Sequence, residues 1–142
     1  MLDDLGLAAA LEWLTHNYSE HSGIATDLFI DDSVAKLPEP VTSALYRITQ
    51  ESLTNVAKYA QATKVEIRLE RDGDSVQLTV RDNGRGIEEA EKNKPDRFGL
   101  LGIRERVMLL SGEVTIKGEP GRGSEVCVRI PLAAVETLGT PI

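Results

Sequence analysis

The chain has 142 residues, 41% of them apolar, and a formal net charge of −7. That size and apolar content suit one packed domain and exclude disorder, and with two Phe, one Trp and three Tyr the core must be filled by aliphatic side chains. The negative field repels phosphate backbones and so excludes non-specific nucleic-acid binding; an anionic ligand would need locally placed donors, cations or a metal.

In chain order, Leu7, Leu11, Leu14 and Tyr18 recur at helical spacing, with Asp3 and Asp4 as candidate caps. Ile24, Leu28 and Ile30 mark a short strand. Pro38 and Pro40 punctuate a loop, and a long helix begins near Val41. On it Leu45, Ile48, Ser52, Val56 and Tyr59 fall along an inner side. Arg47, Glu51, Asn55 and Lys58 form a polar stripe beside them. Asn is a mediocre helix former, so Asn55 within that stripe asks for more than solvation.

Two alternating runs, Val65-Ile67-Leu69 and Val76-Leu78-Val80, flank Arg71-Asp72-Gly73-Asp74 and read as a β-hairpin. Asp82-Asn83-Gly84-Arg85-Gly86 follows, then a polar loop from Glu88 to Arg97. Leu100, Ile103, Val107 and Leu110 mark a third helix, with Gly112 as its C-terminal stop. Val114 and Ile116 start a strand, Pro120-Gly121-Arg122-Gly123 turns the chain, and Val126, Val128 and Ile130 form a last strand. Cys127, the single cysteine, reads as a small buried hydrophobe; alone it forms no internal disulfide, as expected in the cytoplasm. No apolar run approaches the ~20 residues that span a bilayer, and no secretory signal is visible. Alternating strands joined by hairpins predict an α+β chain, a two-layer sandwich with helices on one face of a mixed sheet, rather than a doubly wound sheet.

Three glycine clusters stand out: Gly84-Arg85-Gly86, Gly99-Leu100-Leu101-Gly102 and Gly121-Arg122-Gly123. Neither the P-loop pattern nor G-x-G-x-x-G between a strand and a helix occurs. The second cluster opens the third helix, where unpaired backbone N–H groups favour an anion. Asp82, at a strand end, could accept a hydrogen bond from an exocyclic amine such as that of adenine.

The segment from Glu51 to Ala60 resembles the N box of the GHKL ATPases, the superfamily of gyrase, Hsp90, histidine kinases and MutL. The segment from Asp82 to Ile87 resembles its G1 box, that from Phe98 to Arg106 its G2 box, and Gly121-Arg122-Gly123-Ser124 its last glycine motif, all in the family's order. N-x-x-K-Tyr in the N box and Gly-Ile-Arg-Glu-Arg after the G2 glycines are similar to histidine kinases whose response regulators carry LuxR-type output domains. Tyr59 stands where close relatives often have His, and Arg97 where many G2 boxes have their first Gly.

The resemblance implies a Bergerat-type sandwich with a largely antiparallel sheet. It implies a catalytic domain that binds Mg²⁺-ATP and transfers the γ-phosphate to a histidine on a separate dimerising hairpin. Residues 1–22 would be the end of that hairpin or a linker helix, 23–133 the catalytic domain and 134–142 a tail. Asn55 would supply an oxygen to Mg²⁺, Glu51 would position a metal-bound water or act as a base, Lys58 would neutralise phosphate charge, and Tyr59 would hydrogen-bond a phosphate. Asp82 would read adenine, aided by Ser124. Gly84 and Gly86 would shape the pocket floor, and Gly99, Leu100 and Gly102 would offer backbone contacts to phosphates. Ile87 and Leu101 join the nucleotide-binding set. His16 and His21 match no phosphoacceptor motif. The implied setting is cytoplasmic, as a free protein or the cytoplasmic part of a membrane-anchored sensor. The implied partners are the protein's own hairpin and a response regulator, with the isolated chain mainly monomeric. The alternatives are an ATP-hydrolysing clamp like gyrase or MutL, and a degenerate nucleotide-sensing or docking module.

Overall fold

A computed structural model describes residues 2–34, 37–86 and 100–132, without the side chains of residues 2–5. The first helix, α1 (Leu2–Ser22), is broken at Gly6, whose φ of 80° and ψ of 169° lie outside any helical region. Beyond the break, Leu7, Ala10, Leu11 and Leu14 recur three and four apart and are buried. Gly23, at φ 76°, ends the helix by donating to the Ser19 carbonyl at 3.0 Å.

Strand β1 (Ala25–Ile30) lies parallel to β2 (Lys64–Asp72), as two strands joined through a helix can. That helix, α2 (Glu39–Asn55), starts at a proline-rich first turn, where the missing N–H costs nothing. It buries Val41, Leu45, Ile48, Ser52 and Leu53. A π-helical turn, Val56–Ala60, then widens its end, and Gln61 terminates it in the left-handed region at φ 54°. The widening breaks the expected inner row after Val56: Val56 stays buried, but Tyr59 is 40% exposed.

β2 forms a hairpin with β3 (Ser75–Asp82), and β5 (Ser124–Pro131) lies between β3 and β4 (Glu113–Gly118), both pairings antiparallel. The sheet order is β1-β2-β3-β5-β4. The mixed, largely antiparallel sheet expected from the sequence is therefore the one observed. Its inner face brings Val65, Ile67, Leu69, Val76, Leu78, Val80, Val128 and Ile130 against Leu11, Leu45, Ile48 and Leu53 of the first two helices. Ile103 and Val107 of α3 (Leu100–Leu109) complete this aliphatic core.

The outer face is a lattice of charge. Lys64 pairs with Asp27 at 3.1 Å, Arg68 with Glu66 and Glu70, and Arg129 with Asp72 at 2.9 Å, while the Arg68 guanidinium lies 4.6 Å over the Phe29 ring. Cys127 belongs to this outer row, in register with Thr79 and Thr115. It is half-buried rather than a core residue, because alternation turns it away from Val126 and Val128.

The end of α3 also departs from expectation. Ser111, not Gly112, takes the left-handed conformation, at φ 58°. Its N–H reaches the Met108 carbonyl and that of Gly112 reaches Val107, the paired bonds of a Schellman stop. Gly112 is needed for another reason: a Cβ there would lie 2.5 Å from the Arg129 carbonyl oxygen. No helix among the described residues is long and apolar enough to cross a membrane.

Candidate functional site

Asp82, the last residue of β3, is only 6% exposed. One of its carboxylate oxygens accepts the Gly84 N–H at 2.8 Å and the other accepts the Ser124 hydroxyl at 2.6 Å. The carboxylate is thus held from both sides, by its own turn and by the neighbouring strand β5. Burial pushes the Tyr18 hydroxyl on α1 up to about 12, and the negative charge of Asp82 adds to the rise.

The turn beyond Asp82 is threaded between two other elements. The Arg85 N–H donates to the Ala60 carbonyl at 2.7 Å, and the Arg85 carbonyl accepts from the Gly121 N–H at 2.7 Å. The Arg85 side chain donates through Nε to the Tyr59 carbonyl at 2.8 Å, gripping the π-helical turn. Asn83 ties the other flank, its Oδ1 accepting the N–H groups of Thr63 and Lys64, both at 2.9 Å. At this closeness no Cβ fits. On Gly84 it would lie 2.0 Å from the Ala60 oxygen, on Gly86 1.9 Å from that of Glu119, and on Gly123 2.0 Å from that of Asp82.

Beside Asp82 a cavity opens between α2, the sheet and the start of α3. Asn55, Tyr59, Asp82, Gly86, Leu100 and Ser124 line it, all of them singled out in the sequence. Ser52, Val56, Ala60, Val80 and Val126 line it as well, and sequence reasoning missed them as site residues because their spacing reads as core. The buried amide nitrogen of Asn55 and the buried hydroxyl of Ser52 have no hydrogen-bond partner.

Other expected residues stand around the cavity without lining it. Lys58 is exposed on the π-helical turn, and Leu101 is 46% exposed. Gly84 lies beneath Ala60 and the Asp82 carboxylate. Glu51 is paired: Arg106 of α3 donates through Nε to its Oε1 at 2.8 Å, and its Oε2 faces Gly102, where a Cβ would approach to 3.0 Å. Arg106 was legible in the sequence only as part of the motif after the G2 glycines; its link to Glu51 needed the packing of α3 on α2. Ile87, Gly99 and the loop from Glu88 to Arg97 lie outside the described residues. His16 and His21 are both exposed on α1, His16 beside Glu20 at 3.2 Å and His21 at 2.8 Å from the Asn17 carbonyl.

Among the described residues no three His, Cys, Asp or Glu side chains converge as a metal cage. The donor set still fits Mg²⁺, a cation that keeps most of its water and takes one or two protein oxygens together with phosphates. The Asn55 side chain, whose amide nitrogen is unpartnered, lines the same cavity as Asp82, and its amide oxygen is the atom that would hold the ion.

Residues 41–134 match the family described as histidine kinase-, DNA gyrase B-, and HSP90-like ATPase. Over 135 residues the chain is 36% identical to the signal transduction histidine-protein kinase/phosphatase DegS of Brevibacillus brevis, covering 95% of this chain and 35% of that protein. Over 131 residues it is 32% identical to the oxygen sensor histidine kinase NreB of Staphylococcus carnosus, covering 92% and 38%. The chain thus spans little more than a third of the length of these relatives. Among solved structures, the histidine kinase domain of the Erythrobacter litoralis EL346 blue-light activated histidine kinase superposes with a TM-score of 0.78 at 25% identity, covering 93% of this chain and 64% of that one. The Acinetobacter baumannii histidine kinase AdeS, at 15% identity and a TM-score of 0.72, shares the fold over 88% of this chain and 64% of its own.

The glycine threading yields a prediction. Gly84→Ala drives a methyl group into a backbone carbonyl and is expected to cost more than about 4 kcal/mol. Gly102→Ala meets only the flexible tip of Glu51 and gains helix propensity, so its stability should stay within about 1 kcal/mol of the parent. Urea unfolding of both variants checks this; equal midpoints would remove the threading argument.

Proposed function

This chain belongs to the histidine kinase-, DNA gyrase B- and HSP90-like ATPase family, and we propose that it is the ATP-binding catalytic domain of a protein-histidine kinase. It presents the γ-phosphate of Mg²⁺-ATP to an imidazole on a separate dimerising helical hairpin. The observation that carries this reading is Asp82: a buried carboxylate, fixed by the Gly84 N–H and the Ser124 hydroxyl, that lines a cavity together with Val56, Val80, Val126 and Leu100. Such a group has no structural partner of opposite charge among the bonds it makes. It suits the amine of an adenine ring slid between aliphatic walls.

The remaining roles follow from position. Asn55, lining that cavity at the end of α2, would hold the Mg²⁺ through its side-chain oxygen, and the ion would supply charge neutralisation to the phosphates. Lys58 and Tyr59, on the π-helical turn, would meet phosphate oxygens. Leu100 and Gly102, in the first turn of α3, would offer main-chain N–H groups where the helix dipole favours an anion. Ile87, Gly99 and Leu101 complete the proposed set, and Gly84 and Gly86 would shape the pocket floor. Glu51, next to this end of the site, would orient a metal-bound water or accept the proton that the imidazole releases, with Arg106 fixing its carboxylate. In the transfer, the imidazole nitrogen bonds to the γ-phosphorus as the bond to the β–γ bridging oxygen breaks and ADP leaves. Positioning and charge stabilisation carry most of such a reaction.

The relatives named as histidine kinases support a kinase over an ATP-hydrolysing clamp. Residues 23–133 would form the catalytic domain, with residues 1–22 leading in from the hairpin and 134–142 as a tail. The proposed setting is the cytoplasm, and the proposed downstream partner is a response regulator of the LuxR-type output class.

Three outcomes test this. The chain should bind ATP about 5- to 150-fold more tightly than GTP, because guanine turns a carbonyl toward Asp82 and leaves a buried acceptor unpaired; equal affinities by calorimetry would remove Asp82 as the base reader. Asn55→Ala should weaken ATP binding in Mg²⁺ far more than in EDTA, and an equal loss in both would remove the metal role. The isolated chain should be monomeric, bind ATP and form no stable phosphohistidine, yet slowly label the separately produced parent hairpin on histidine, without the effective concentration a tether supplies. Acid-labile label on His16 or His21 at high stoichiometry would instead locate the acceptor within these residues.

A further inference from the structure

Hydroxyls on the helices of this protein bond back to the main chain. Thr15 donates to the Leu11 carbonyl at 2.9 Å, Thr49 to Leu45 at 2.8 Å and Thr54 to Gln50 at 3.0 Å. Ser52 lies on α2 between the last two and makes no such bond. It is 4% exposed, and its hydroxyl oxygen is sealed from solvent without any partner. A buried hydroxyl left unmade destabilises the fold, so its retention asks what else could satisfy it.

Its position supplies an answer. Ser52, one helical turn before Val56, lines the same cavity as Asp82, Val80 and Val126, so a turn of its side chain about the Cα–Cβ bond can offer the hydroxyl to a group bound there. Another hydroxyl lining it, that of Ser124, has already given its proton to the Asp82 carboxylate. Asp82 can accept from an exocyclic amine, but it cannot donate. An adenine ring carries, on either side of its amine, a ring nitrogen that accepts and cannot donate. Among the described residues lining the cavity, Ser52 and Asn55 have a buried polar atom without a hydrogen-bond partner, and the Ser52 hydroxyl has a proton it can offer such a nitrogen. Asn55, the other lining residue with an unpartnered polar atom, stands at the helix end and is assigned to the metal and phosphates.

Resting on the nucleotide reading above, we propose that Ser52 is a specificity-determining residue whose hydroxyl donates a hydrogen bond to a ring nitrogen flanking the adenine amine. Asp82 and Ser52 then read adjacent positions of one base edge with opposite polarity, acceptor and donor. The unmet hydroxyl of the nucleotide-free protein is the counterpart of that bond.

The test uses the full 142-residue chain and its Ser52→Ala variant with ATP, 7-deaza-ATP and 1-deaza-ATP, the analogues each lacking one flanking nitrogen. Ser52→Ala should raise the melting temperature of the nucleotide-free chain, since it deletes an unmet polar group. It should nevertheless weaken ATP binding about 3- to 10-fold. One analogue should bind the unsubstituted chain with a similar loss and lose nothing further on substitution. ATP affinity unchanged by Ser52→Ala overturns the proposal. So does an equal further loss with both analogues, or a lowered melting temperature with all three nucleotides weakened alike, which is what a packing role would give. Failure of the unsubstituted chain to bind Mg²⁺-ATP at all is a different result: it removes the nucleotide reading itself.

Discussion

The turn from Asp82 to Gly86 passes between two backbone carbonyls with no room for a side chain, and the rest of the site depends on that passage. Ala60, at the end of the π-helical turn, closes on it from one side and Glu119, in the β4–β5 connection, from the other. The hydrogen bonds to Arg85 from both directions make the turn a joint between elements far apart in sequence. Contacts of this kind tolerate no side chain, because a methyl group in the gap would displace backbone rather than a yielding side-chain tip. What the joint secures is one carboxylate in an aliphatic interior, its two oxygens aimed by the Gly84 N–H and the Ser124 hydroxyl.

From that joint the two-layer architecture acquires a purpose beyond burial. Strands β3 and β5 deliver Asp82 and Ser124 in register, as directly opposed residues. Helix α2 brings Ser52 and Asn55 to the same cavity, the π-helical turn brings Val56, and α3 brings Leu100. The Glu51–Arg106 pair ties α2 to α3 near the cavity, while each partner stays partly exposed, so the tie is set more by geometry than by strength. Helix α3 is thereby anchored to the helix that carries the polar stripe.

Much of this was legible in the residues. Alternation in Val65-Ile67-Leu69, Val76-Leu78-Val80 and Val126-Val128-Ile130 determines which faces meet the helices; all but Val126 are in the observed core, and Val126 packs against it. Gly84-Arg85-Gly86 and Gly121-Arg122-Gly123 marked turns, and Asp82 and Ser124, both singled out for the base, are bonded to each other. Three features were not legible, each for a physical reason. The π-helical turn has no signature in a 3.6-residue repeat, so Tyr59 was assigned to an inner row that it leaves. Gly112 suggested a helix stop, but the left-handed residue is Ser111, and the glycine answers to the Arg129 carbonyl on another strand. Ser52 read as a small core residue because its distinguishing property, a hydroxyl without a partner, exists only once its neighbours are in place.

The two ends of the site are built from different materials, and this separates their physics. Around Asp82 the groups are buried, uncharged apart from one carboxylate, and carried on strands or a helix interior, so recognition there rests on shape and on paired donors and acceptors. Around Lys58, Glu51 and Arg106 the groups are charged and partly exposed on helix ends, so their contributions shrink as salt screens them within roughly 8–10 Å at physiological ionic strength. On the proposed reading, base recognition would then be little affected by salt, whereas contacts at the phosphate end would weaken as salt rises. Asn55 stands at the junction, on the last residue of regular α2 before the wider turn, which is why a residue of low helix propensity is tolerated there.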